Sequence, residues 1–569
     1  MAKQESVQES VRLRISGMTC DDCARKIEEG LKKESGVLKA AVSYESRSGE
    51  LLIDSSALDP ERVPELPIFK GHYGATLVRG PEPRKRAAPP STRAASGENG
   101  KFDLIVVGGG SGAFAAAIKA SEMGAKVAIV EEGVIGGTCL NRGCIPTKHL
   151  IRAAEIYHLA GHNPFPGVVT KQGKLNFSKL MEKKDSLIQW AQKAKYWDIL
   201  EHHKNITYIN SKGTFLGPQR LQVNGRKLHA PKFIIGTGAS AFIPPIEGIG
   251  KVKYLTSTEI LELKKLPESL IVLGANAVGL EFAQMFARLG SKVTVHEIAG
   301  KIAPAEEPEI SDALEKYLKE EGIEICTCSK VVKAREERGK KVITAEMPHG
   351  KAKDFWADEL LVATGRRPNT KGIGLEQIGV TLSPRGGIKV NERMQTAVPH
   401  IYAIGDCVDC DCPAQFVYVA AMQGAIAAQN VLNGNSPRKM DYSAVPHAIF
   451  TTPEVAGVGL KEDDAKKQGY KVKTSLLDFH WVPRAEVMLD ERGLIKMVVE
   501  ADTLRILGVN IVASNAGDLI HEAVLAVKYK LTAQDLIDTL HVYPTLSEAL
   551  RICAQGFFKD VTKLSCCAE

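Results

Sequence analysis

One arrangement of residues occurs twice in this 569-residue chain, and it restricts the possible folds more than any other feature. In the first copy, an apolar strand at 103–107 runs into a glycine-rich turn at 108–113, and a second strand at 127–131 ends in an acid. The second copy spans 270–297 in the same order. A glycine-rich turn between a buried parallel strand and a helix lets backbone amides approach a pyrophosphate. Each copy therefore predicts a dinucleotide site in an α/β fold.

The turns and the terminal acids of the two copies supply the predicted cofactor contacts. These are Gly108, Gly110, Gly112, Ala113 and Glu131 in the first copy, and Gly274, Gly279 and Glu297 in the second. Each acid stands where it can accept a hydrogen bond from a ribose hydroxyl. Asn276 replaces the middle glycine of the second turn, and we expect the tolerance of asparagine for unusual backbone angles to preserve the turn. Two such sites in one chain indicate two electron carriers.

Two cysteines, Cys139 and Cys144, follow the first copy and precede a helix-like run that begins near His149. A cysteine at a helix N-terminus lies at the positive end of the helix dipole, which favours thiolate over thiol. The neighbouring glycines and Pro146 allow the bend that brings the two sulfurs within bonding distance. This pattern favours a redox-active pair over the alternative of two buried, unreactive cysteines.

The twelve cysteines of the chain need explaining in a reducing compartment. The polar N-terminus lacks a secretory signal, and no apolar run is long enough to span a bilayer, so we expect a cytoplasmic protein without a membrane partner. A net charge of +7 is modest for this length and does not indicate nucleic acid. Most cysteines fall in close groups: Cys20/Cys23, Cys139/Cys144, Cys326/Cys328, Cys407/Cys410/Cys412 and Cys566/Cys567. Paired spacing in the cytosol indicates metal or redox chemistry.

The first 80 residues form a separate pattern around Cys20 and Cys23. Apolar and polar residues alternate at 11–16, apolar residues recur at helical spacing behind Cys23, and strand-like runs follow at 37–43, 50–53 and 74–78. With its G-M-T-C-x-x-C loop, this segment resembles the heavy-metal-associated domain, a ferredoxin-like βαββαβ fold. Two thiolates on such a loop can hold one soft ion. A zinc half-site or a thioredoxin-type pair is disfavoured, since no second ligand pair lies nearby. Pro64 and Pro67 should shorten the second helix.

The remainder of the chain resembles the FAD-dependent pyridine nucleotide-disulfide oxidoreductases. The resemblance rests on the cysteine stretch, two hinge strands at 235–238 and 362–365, and the segment 401–406. It implies FAD in the first site and NADH or NADPH in the second, with Thr138, Lys148 and Asp406 at the flavin. It also implies an ion pair between Lys148 and Glu281, and a homodimer formed through the C-terminal domain. Cys144 would be the thiolate against the flavin, and Cys139 the interchange thiol.

Three departures indicate which branch of this family the chain resembles. Lipoamide and glutathione reductases carry a histidine before the proline of an H-P-x-x-x-E motif, where this chain has Tyr543, a poor base near pH 7. His541, two residues earlier, could take the place of that histidine only if the local chain were not an extended strand. The chain also ends in a Cys566-Cys567 pair, and its metal-binding segment has no evident use in those enzymes. Together these features resemble the mercuric reductases.

This resemblance implies a route for Hg(II) as substrate in mercury detoxification. Cys20 and Cys23 would take the ion from cytosolic thiols or a mercury transporter. Cys566 and Cys567 would carry it inward from the partner subunit. Cys139 and Cys144 would hold it in a pocket lined by Tyr543 while NAD(P)H, through FAD, supplies two electrons that release Hg(0). The alternatives are a dihydrolipoamide dehydrogenase or glutathione-type reductase and, in another class, a soft-metal chaperone.

The predicted fold is α/β, with two Rossmann-like domains, an α+β dimerisation domain and the metal-binding domain. The predicted boundaries are 1–80 for the heavy-metal-associated domain, 81–100 for a flexible linker, 101–267 and 396–440 for the two parts of the FAD domain, 268–395 for the NAD(P) domain and 441–569 for dimerisation. The linker assignment follows from its proline, alanine, serine and charged residues.

Several positions depart from the family pattern. Ala277 stands where many relatives have an active-site tyrosine, which predicts slower turnover. Glu297 repels a 2′-phosphate, so NADH should serve at least as well as NADPH, with Lys301 the one nearby cation that could rescue NADPH. The group Cys407, Cys410 and Cys412 is either an extra thiol relay or, more simply, a set of ordinary loop residues. The remaining cysteines, Cys326, Cys328 and Cys553, look structural.

Overall fold

The computed structural model describes residues 8–44, 47–77, 101–348, 350–409, 415–563 and 565. Of the predicted site residues, Cys566 and Cys567 lie outside the described residues, as do Cys410 and Cys412. The chain divides into two compact units, Met1–Ser91 and Thr92–Glu569. Within the described ranges, no helix is both long enough and apolar enough to cross a membrane.

The first unit is a four-stranded antiparallel sheet with one α-helix. In spatial order its strands are Val37–Ser43, Ser48–Asp54, Gln8–Ser16 and Gly74–Leu77, and the helix is Asp21–Leu31. The predicted alternation holds, because Val11, Leu13 and Ile15 are buried beneath the helix residues that recur at helical spacing. Those helix residues are Ala24, Ile27 and Leu31.

The second helix of the expected βαββαβ order is reduced to two 3₁₀ turns, Pro60–Glu65 and Pro67–Phe69. Pro64 lies inside the first turn and Pro67 begins the second. Proline lacks the amide that an α-helix needs and its ring clashes with the preceding turn, so the shortening follows directly from the sequence. Val63 and Phe69 are still buried against the sheet.

In the second unit, the segments predicted to form the FAD domain build a five-stranded parallel sheet. In spatial order the strands are Ile401–Ala403, Phe233–Ile235, Leu104–Val107, Val127–Glu131 and Ile206–Asn210. The helices Ser111–Glu122 and Val417–Leu432 pack against each other, and a Cβ on Gly424 would lie 2.2 Å from the Gly112 carbonyl oxygen. A three-stranded antiparallel sheet, Gly213–Gly217, Arg220–Val223 and Arg226–His229, covers the opposite face.

The nucleotide domain repeats this plan with a four-stranded parallel sheet. Its strands in order are Glu324–Cys326, Lys292–His296, Ser269–Leu273 and Glu359–Val362. Three antiparallel strands, Lys330–Glu337, Lys340–Glu346 and Ala352–Ala357, pack on one face. The helices are Ala277–Leu289 and Pro308–Glu320. In both domains the glycine-rich turn lies at the carboxyl ends of the parallel strands, where open α/β sheets bind their ligands.

The C-terminal domain is an antiparallel sheet covered by helices. Its strands in spatial order are His447–Ile449, Glu454–Gly459, Ile506–Ala513, Leu494–Glu500 and Val472–Asp478. Its helices are Glu462–Lys467, Pro483–Met488, Ala516–Tyr529, Ala533–Asp538 and Glu548–Gln555. Short two-stranded ladders join Ala239–Ala241 to Arg366–Pro368 and Ile388–Lys389 to Val408–Asp409. The other α-helices are Gly137–Arg142, Cys144–Leu159, Phe177–Gln192 and Asp198–His202.

Candidate active site and metal-binding loop

The two central cysteines lie at consecutive helix starts beside the first glycine-rich turn. Cys139 is in the helix Gly137–Arg142, and Cys144 is the first residue of the helix Cys144–Leu159, five residues earlier than the sequence indicates. Gly137 has a φ of +62°, and a Cβ there would lie 2.6 Å from the Gly110 Cα. Only glycine allows the cysteine loop to approach the turn this closely.

Cys144 is the more acidic of the two thiols. A hydrogen bond from Cys139 lowers the pKa of Cys144 to about 7, against the opposing effect of burial and with help from the positive charge of Lys148. The same hydrogen bond, together with burial, raises the pKa of Cys139 far above its usual value. Cys144 is therefore the thiol that ionises first, with Cys139 as the protonated donor.

An ion pair joins the cysteine helix to the nucleotide domain. Lys148 Nζ lies 2.7 Å from Glu281 Oε2 and 3.0 Å from Oε1, as the sequence resemblance predicts. Glu281 is only 6% exposed, whereas a third of the Lys148 side chain remains accessible. Glu281 Oε1 also accepts the Phe450 amide at 3.0 Å, and the Phe450 ring lies 4.6 Å from Lys148 Nζ. These partners offset part of the cost of burying the Glu281 carboxylate.

Asp406 and Thr138 approach the same cavity from other segments. Arg366 joins them, with Nε 3.7 Å from Asp406 Oδ2 and Nη2 3.4 Å from Thr138 Oγ1. Burial raises the pKa of Asp406 and lowers that of Arg366, while their mutual attraction opposes both shifts. Most of the predicted flavin and thiol residues line one cavity: Gly110, Gly112, Ala113, Thr138, Cys139, Cys144, Lys148, Glu281 and Asp406.

The cavity suits a dinucleotide with a redox-active ring system. Gly110 and Gly238 line it, and a Cβ on Gly238 would meet no atom within 4 Å, so a side chain there would occupy the cavity itself. Glu131 ends its strand behind the turn, where Oε1 accepts the Gly133 amide at 2.5 Å. Burial raises the pKa of Glu131, and the amides of Gly133 and Gly109 oppose that rise. This chemistry fits FAD, which the family resemblance implies.

The second glycine-rich turn is stabilised by a different interaction from the one the sequence predicts. Asn276 has a φ of −111°, an extended conformation that most residues adopt, so unusual backbone angles are not needed there. Its side chain instead caps the helix Ala277–Leu289 by accepting the Ala277 amide at 2.9 Å. Gly279 is the demanding position, because a Cβ would lie 1.9 Å from the Gly274 oxygen. Asn276 therefore stabilises the turn as the cap of the following helix and does not weaken it.

Glu297 ends the second strand of the nucleotide unit and organises the turn around it. Its two carboxylate oxygens accept the amides of Ala275 and Ala299 at 2.8 and 2.9 Å. With Gly274 and Ala277 it lines a second cavity of about 590 Å³. The cation that could rescue 2′-phosphate binding, Lys301, is paired with Asp312.

The two cavities are neighbours. Four residues line both of them: Ser257, Val278, Arg366 and Gln415. A nicotinamide in the second cavity and a flavin in the first would thus lie in adjoining cavities, and hydride transfer between them would require their rings to meet at this junction.

The metal-binding loop of the first unit holds Cys20 and Cys23 at the start of its helix. Their sulfurs are 3.7 Å apart, and Thr19 Oγ1 lies 3.5 Å from Cys23 Sγ. Hydrogen bonds from Thr19, from the Tyr73 hydroxyl and from Cys20 lower the pKa of Cys23 to about 6, and burial opposes them weakly. Cys20 is exposed and Cys23 is half-buried, and this pair with its one acidic thiol is suited to bind a soft cation at neutral pH.

Tyr543 does not line either cavity within the described part of a single chain. It lies in the C-terminal domain, 48% exposed. The segment around it is a loop rather than the extended strand we expected. His541 is held inside that domain, because Nε2 donates to Glu522 at 2.9 Å and Nδ1 to the Thr539 carbonyl at 3.0 Å. The Glu522 hydrogen bond raises the pKa of His541.

The remaining described cysteines differ in their surroundings. Cys407 and Cys553 are fully buried, and burial raises the pKa of Cys553 to about 12 and raises that of Cys407. Cys407 donates to the Ile404 carbonyl at 3.2 Å, so it packs as a core residue. Cys326 is half-buried, and Cys328 is exposed with a φ of +50°.

Three residues of the site were missed by the sequence reading. Arg366 follows the second hinge strand directly, where an Arg-Arg-Pro run could have signalled it. Phe450 and Tyr73 come from segments far along the chain from the groups they contact, and nothing local marks them. Their positions depend on the tertiary fold.

Comparison with known proteins agrees with this geometry. Residues 102–424 match the pyridine nucleotide-disulphide oxidoreductase family, residues 445–553 its dimerisation domain and residues 12–66 the heavy-metal-associated domain. A mercuric reductase of Staphylococcus aureus is 41% identical over 99% of this chain and all of its own length. One from Lysinibacillus sphaericus is 40% identical over 98% of this chain and 99% of its own length.

Solved structures support the same assignment. The HOCl-induced flavoprotein disulfide reductase RclA of Escherichia coli superposes with a TM-score of 0.72 at 29% identity, covering 80% of this chain and 99% of that one. The cysteine pair, the ion pair and the two adjoining cavities have the arrangement that this kind of reductase needs. The chain therefore belongs to the pyridine nucleotide-disulphide oxidoreductases and, within that family, to the mercuric reductases.

Proposed function

We propose that the protein reduces Hg(II) to Hg(0) with an electron pair from NADH or NADPH. The observation that carries the proposal is the acidic thiol of Cys144, hydrogen-bonded to Cys139, in a cavity that adjoins a second nucleotide cavity. A second pair at Cys20 and Cys23 supplies a soft-metal site on the same chain. The balanced reaction is Hg²⁺ + NADH → Hg⁰ + NAD⁺ + H⁺.

The redox step would take place in the first cavity, where the flavin would bind. FAD, when bound there, would supply two-electron transfer between the nicotinamide and the mercuric ion held by the thiols. Gly110, Thr138 and Asp406 would hold it, with Lys148 paired to Glu281 as a fixed cation. The nucleotide would bind along Gly274 and Glu297.

The thiols handle the substrate. Cys139, the interchange thiol, would become the first protein ligand of a thiol-bound mercuric ion as its proton passes to the displaced carrier thiolate, and the Cys144 thiolate would then displace the second carrier. One incoming Hg–S bond breaks for each new Hg–S bond, so the ion is never free. A soft ion held by two sulfurs leaves efficiently only to another thiolate, which explains the need for several pairs.

The delivery route runs through thiol pairs in sequence. We propose that Cys20 and Cys23 take the ion from cytoplasmic thiols or a mercury transporter and that Cys566 and Cys567 pass it inward. The family's dimerisation domain supports a homodimer, in which Tyr543 would reach the thiol pocket of the partner. A reducing cytoplasm keeps all these thiols available.

NADH is the proposed electron donor of choice. Both carboxylate oxygens of Glu297 lie at the turn that receives the adenosine ribose, and a carboxylate repels a 2′-phosphate. Lys301, the cation that the sequence suggests could rescue NADPH, is already paired with Asp312.

The test is NADH oxidation by the full-length protein with mercuric chloride in excess thiol, with released mercury vapour trapped and measured. We expect mercury-dependent oxidation that is lost in Cys144→Ser and retained in Cys328→Ser, whose exposed thiol takes no part in the proposed mercury route. Oxidation driven by lipoamide or oxidised glutathione instead would indicate the rival reductases. Mercury binding without NADH oxidation would indicate a chaperone.

The delivery route has its own test. A Cys566→Ser/Cys567→Ser double variant should clear thiol-buffered mercury more slowly than the parent, while its flavin is reduced by NADH at the parental rate. Parental clearance by this variant contradicts the route.

A further inference from the structure

One face of the helix Ala277–Leu289 is bound to a short segment of the C-terminal domain. Glu281, Gln284 and Arg288 lie three and four residues apart on that face, and all are buried. Each contacts residues 450–452, which we call the strap. The helix that carries one half of the Lys148–Glu281 pair is thus held by the dimerisation domain.

The contacts between helix and strap are specific. The Thr452 amide donates to Gln284 Oε1 at 2.7 Å, and Gln284 Nε2 donates back to the Thr452 carbonyl at 2.7 Å. The Phe450 amide donates to Glu281 Oε1 at 3.0 Å. Buried, reciprocal hydrogen bonds of this kind fix position because leaving either partner unpaired is costly.

Phe450 contacts both members of the ion pair. Its amide binds Glu281, and its ring centroid lies 4.6 Å from Lys148 Nζ. Lysine has a long, flexible side chain, and a third of Lys148 is accessible, so Glu281 alone leaves the ammonium freedom to move. An aromatic face within about 6 Å attracts an ammonium group and limits that movement.

We propose that Phe450 is a positioning residue through which the dimerisation domain fixes the Lys148 ammonium at the flavin cavity. The inference rests on FAD binding in that cavity, as in the proposed function. It extends the proposed function, because Phe450 lines neither cavity and yet would influence how readily the bound cofactor is reduced.

The physical consequence concerns the reduced flavin, which is more negative than the oxidised form. A fixed cation nearby stabilises the reduced form by Coulomb attraction, which weakens as the cation moves away. Removing the ring of Phe450 should let Lys148 sample positions further from the cofactor. The midpoint potential of the bound FAD should then fall, and hydride acceptance from NADH should slow.

The experiment measures the FAD midpoint potential and the rate of flavin reduction by NADH, without mercury, in full-length variants. Phe450→Leu should lower the potential and slow reduction about threefold to tenfold, the range that a lost cation–π contact supplies. Phe450→Tyr keeps the aromatic ring and should have the parental midpoint potential and the parental rate of flavin reduction. Gln284→Leu, which frees the strap without touching the ring, should lower the potential in the same direction.

Phe102→Leu is the matched control, because Phe102 is buried and its ring lies 5.5 Å from Lys126 Nζ at the opposite end of the FAD-domain sheet. It should leave the potential unchanged. The proposal is overturned if Phe450→Leu leaves the potential at the parental value, or if Phe450→Tyr shifts it as far as Phe450→Leu does. Failure of the parent to bind FAD would instead contradict the proposed function.

Discussion

Tyr73 donates its hydroxyl to the Cys23 sulfur, and Tyr73→Phe removes that hydrogen bond alone. Four hydrogen bonds, two from Thr19 and one each from Tyr73 and Cys20, together take the pKa of Cys23 from 9.0 to about 6. The bond from Tyr73 contributes less than either bond from Thr19, so its loss should return the Cys23 pKa only part of the way to 9.0, to about 7.

A higher pKa has two opposing effects on the reactivity of the thiol. At pH 6 the thiolate fraction falls from about one half to about one tenth, roughly a fivefold loss. The more basic thiolate is intrinsically about threefold more nucleophilic, given a Brønsted slope near 0.45. The variant should therefore react about twofold more slowly at pH 6 and about threefold faster at pH 8, with the two profiles crossing near pH 6.5.

The assay is alkylation of metal-free protein by iodoacetamide from pH 5 to 9, with peptide mapping to separate Cys23 from Cys20. Tyr44→Phe is the control, since Tyr44 packs against the core of the same unit. Its profile should match the parent. Superimposable profiles for Tyr73→Phe and the parent would refute the reasoning, because they would mean that the hydroxyl does not act on Cys23.

Four further outcomes follow from the described contacts. The kcat/KM with NADH should equal or exceed that with NADPH because of Glu297, and a much higher value with NADPH would contradict this. Ala277→Tyr should raise mercury-dependent turnover, and unchanged turnover would contradict the expectation that Ala277 slows it. Arg288→Met removes two hydrogen bonds to the buried Glu321 carboxylate, which keeps its contacts with Gln284 and Arg492, and should lower the free energy of unfolding by about 2 kcal/mol in urea titrations. Because Glu522 raises the pKa of His541 above 6.5, their pair contributes stability below pH 6.5 that is lost as pH rises through the raised value. Glu522→Gln should remove that pH dependence of unfolding, and an unaltered dependence would refute it.

The sequence was sufficient where periodicity and local chemistry decide the structure. The burial of Leu13 and Ile15, the strand–turn–helix units and the Lys148–Glu281 pair all have the predicted form. These features depend on short-range patterns or on strong family motifs. The length of the helix after Cys144 was underestimated, because its first turn carries no apolar periodicity.

The sequence was insufficient where distant segments meet. Phe450 and Tyr73 reach their partners through tertiary packing, which no local pattern encodes. The sequence suggests that Asn276 matters because asparagine tolerates unusual backbone angles. In the structure its side chain instead accepts the Ala277 amide and caps a helix. The hinge motif ends at Gly365, so it does not mark the next residue, Arg366, as part of the site.

The most direct test of the central claim is the stoichiometry of Hg(0) released to NADH oxidised, measured anaerobically with thiol-bound mercuric ion. The account predicts a ratio of about one for the parent, since each two-electron reduction consumes one NADH. Cys144→Ala should release no Hg(0). Release of mercury vapour by Cys144→Ala at the parental ratio, or NADH oxidation by the parent without vapour, would contradict the account.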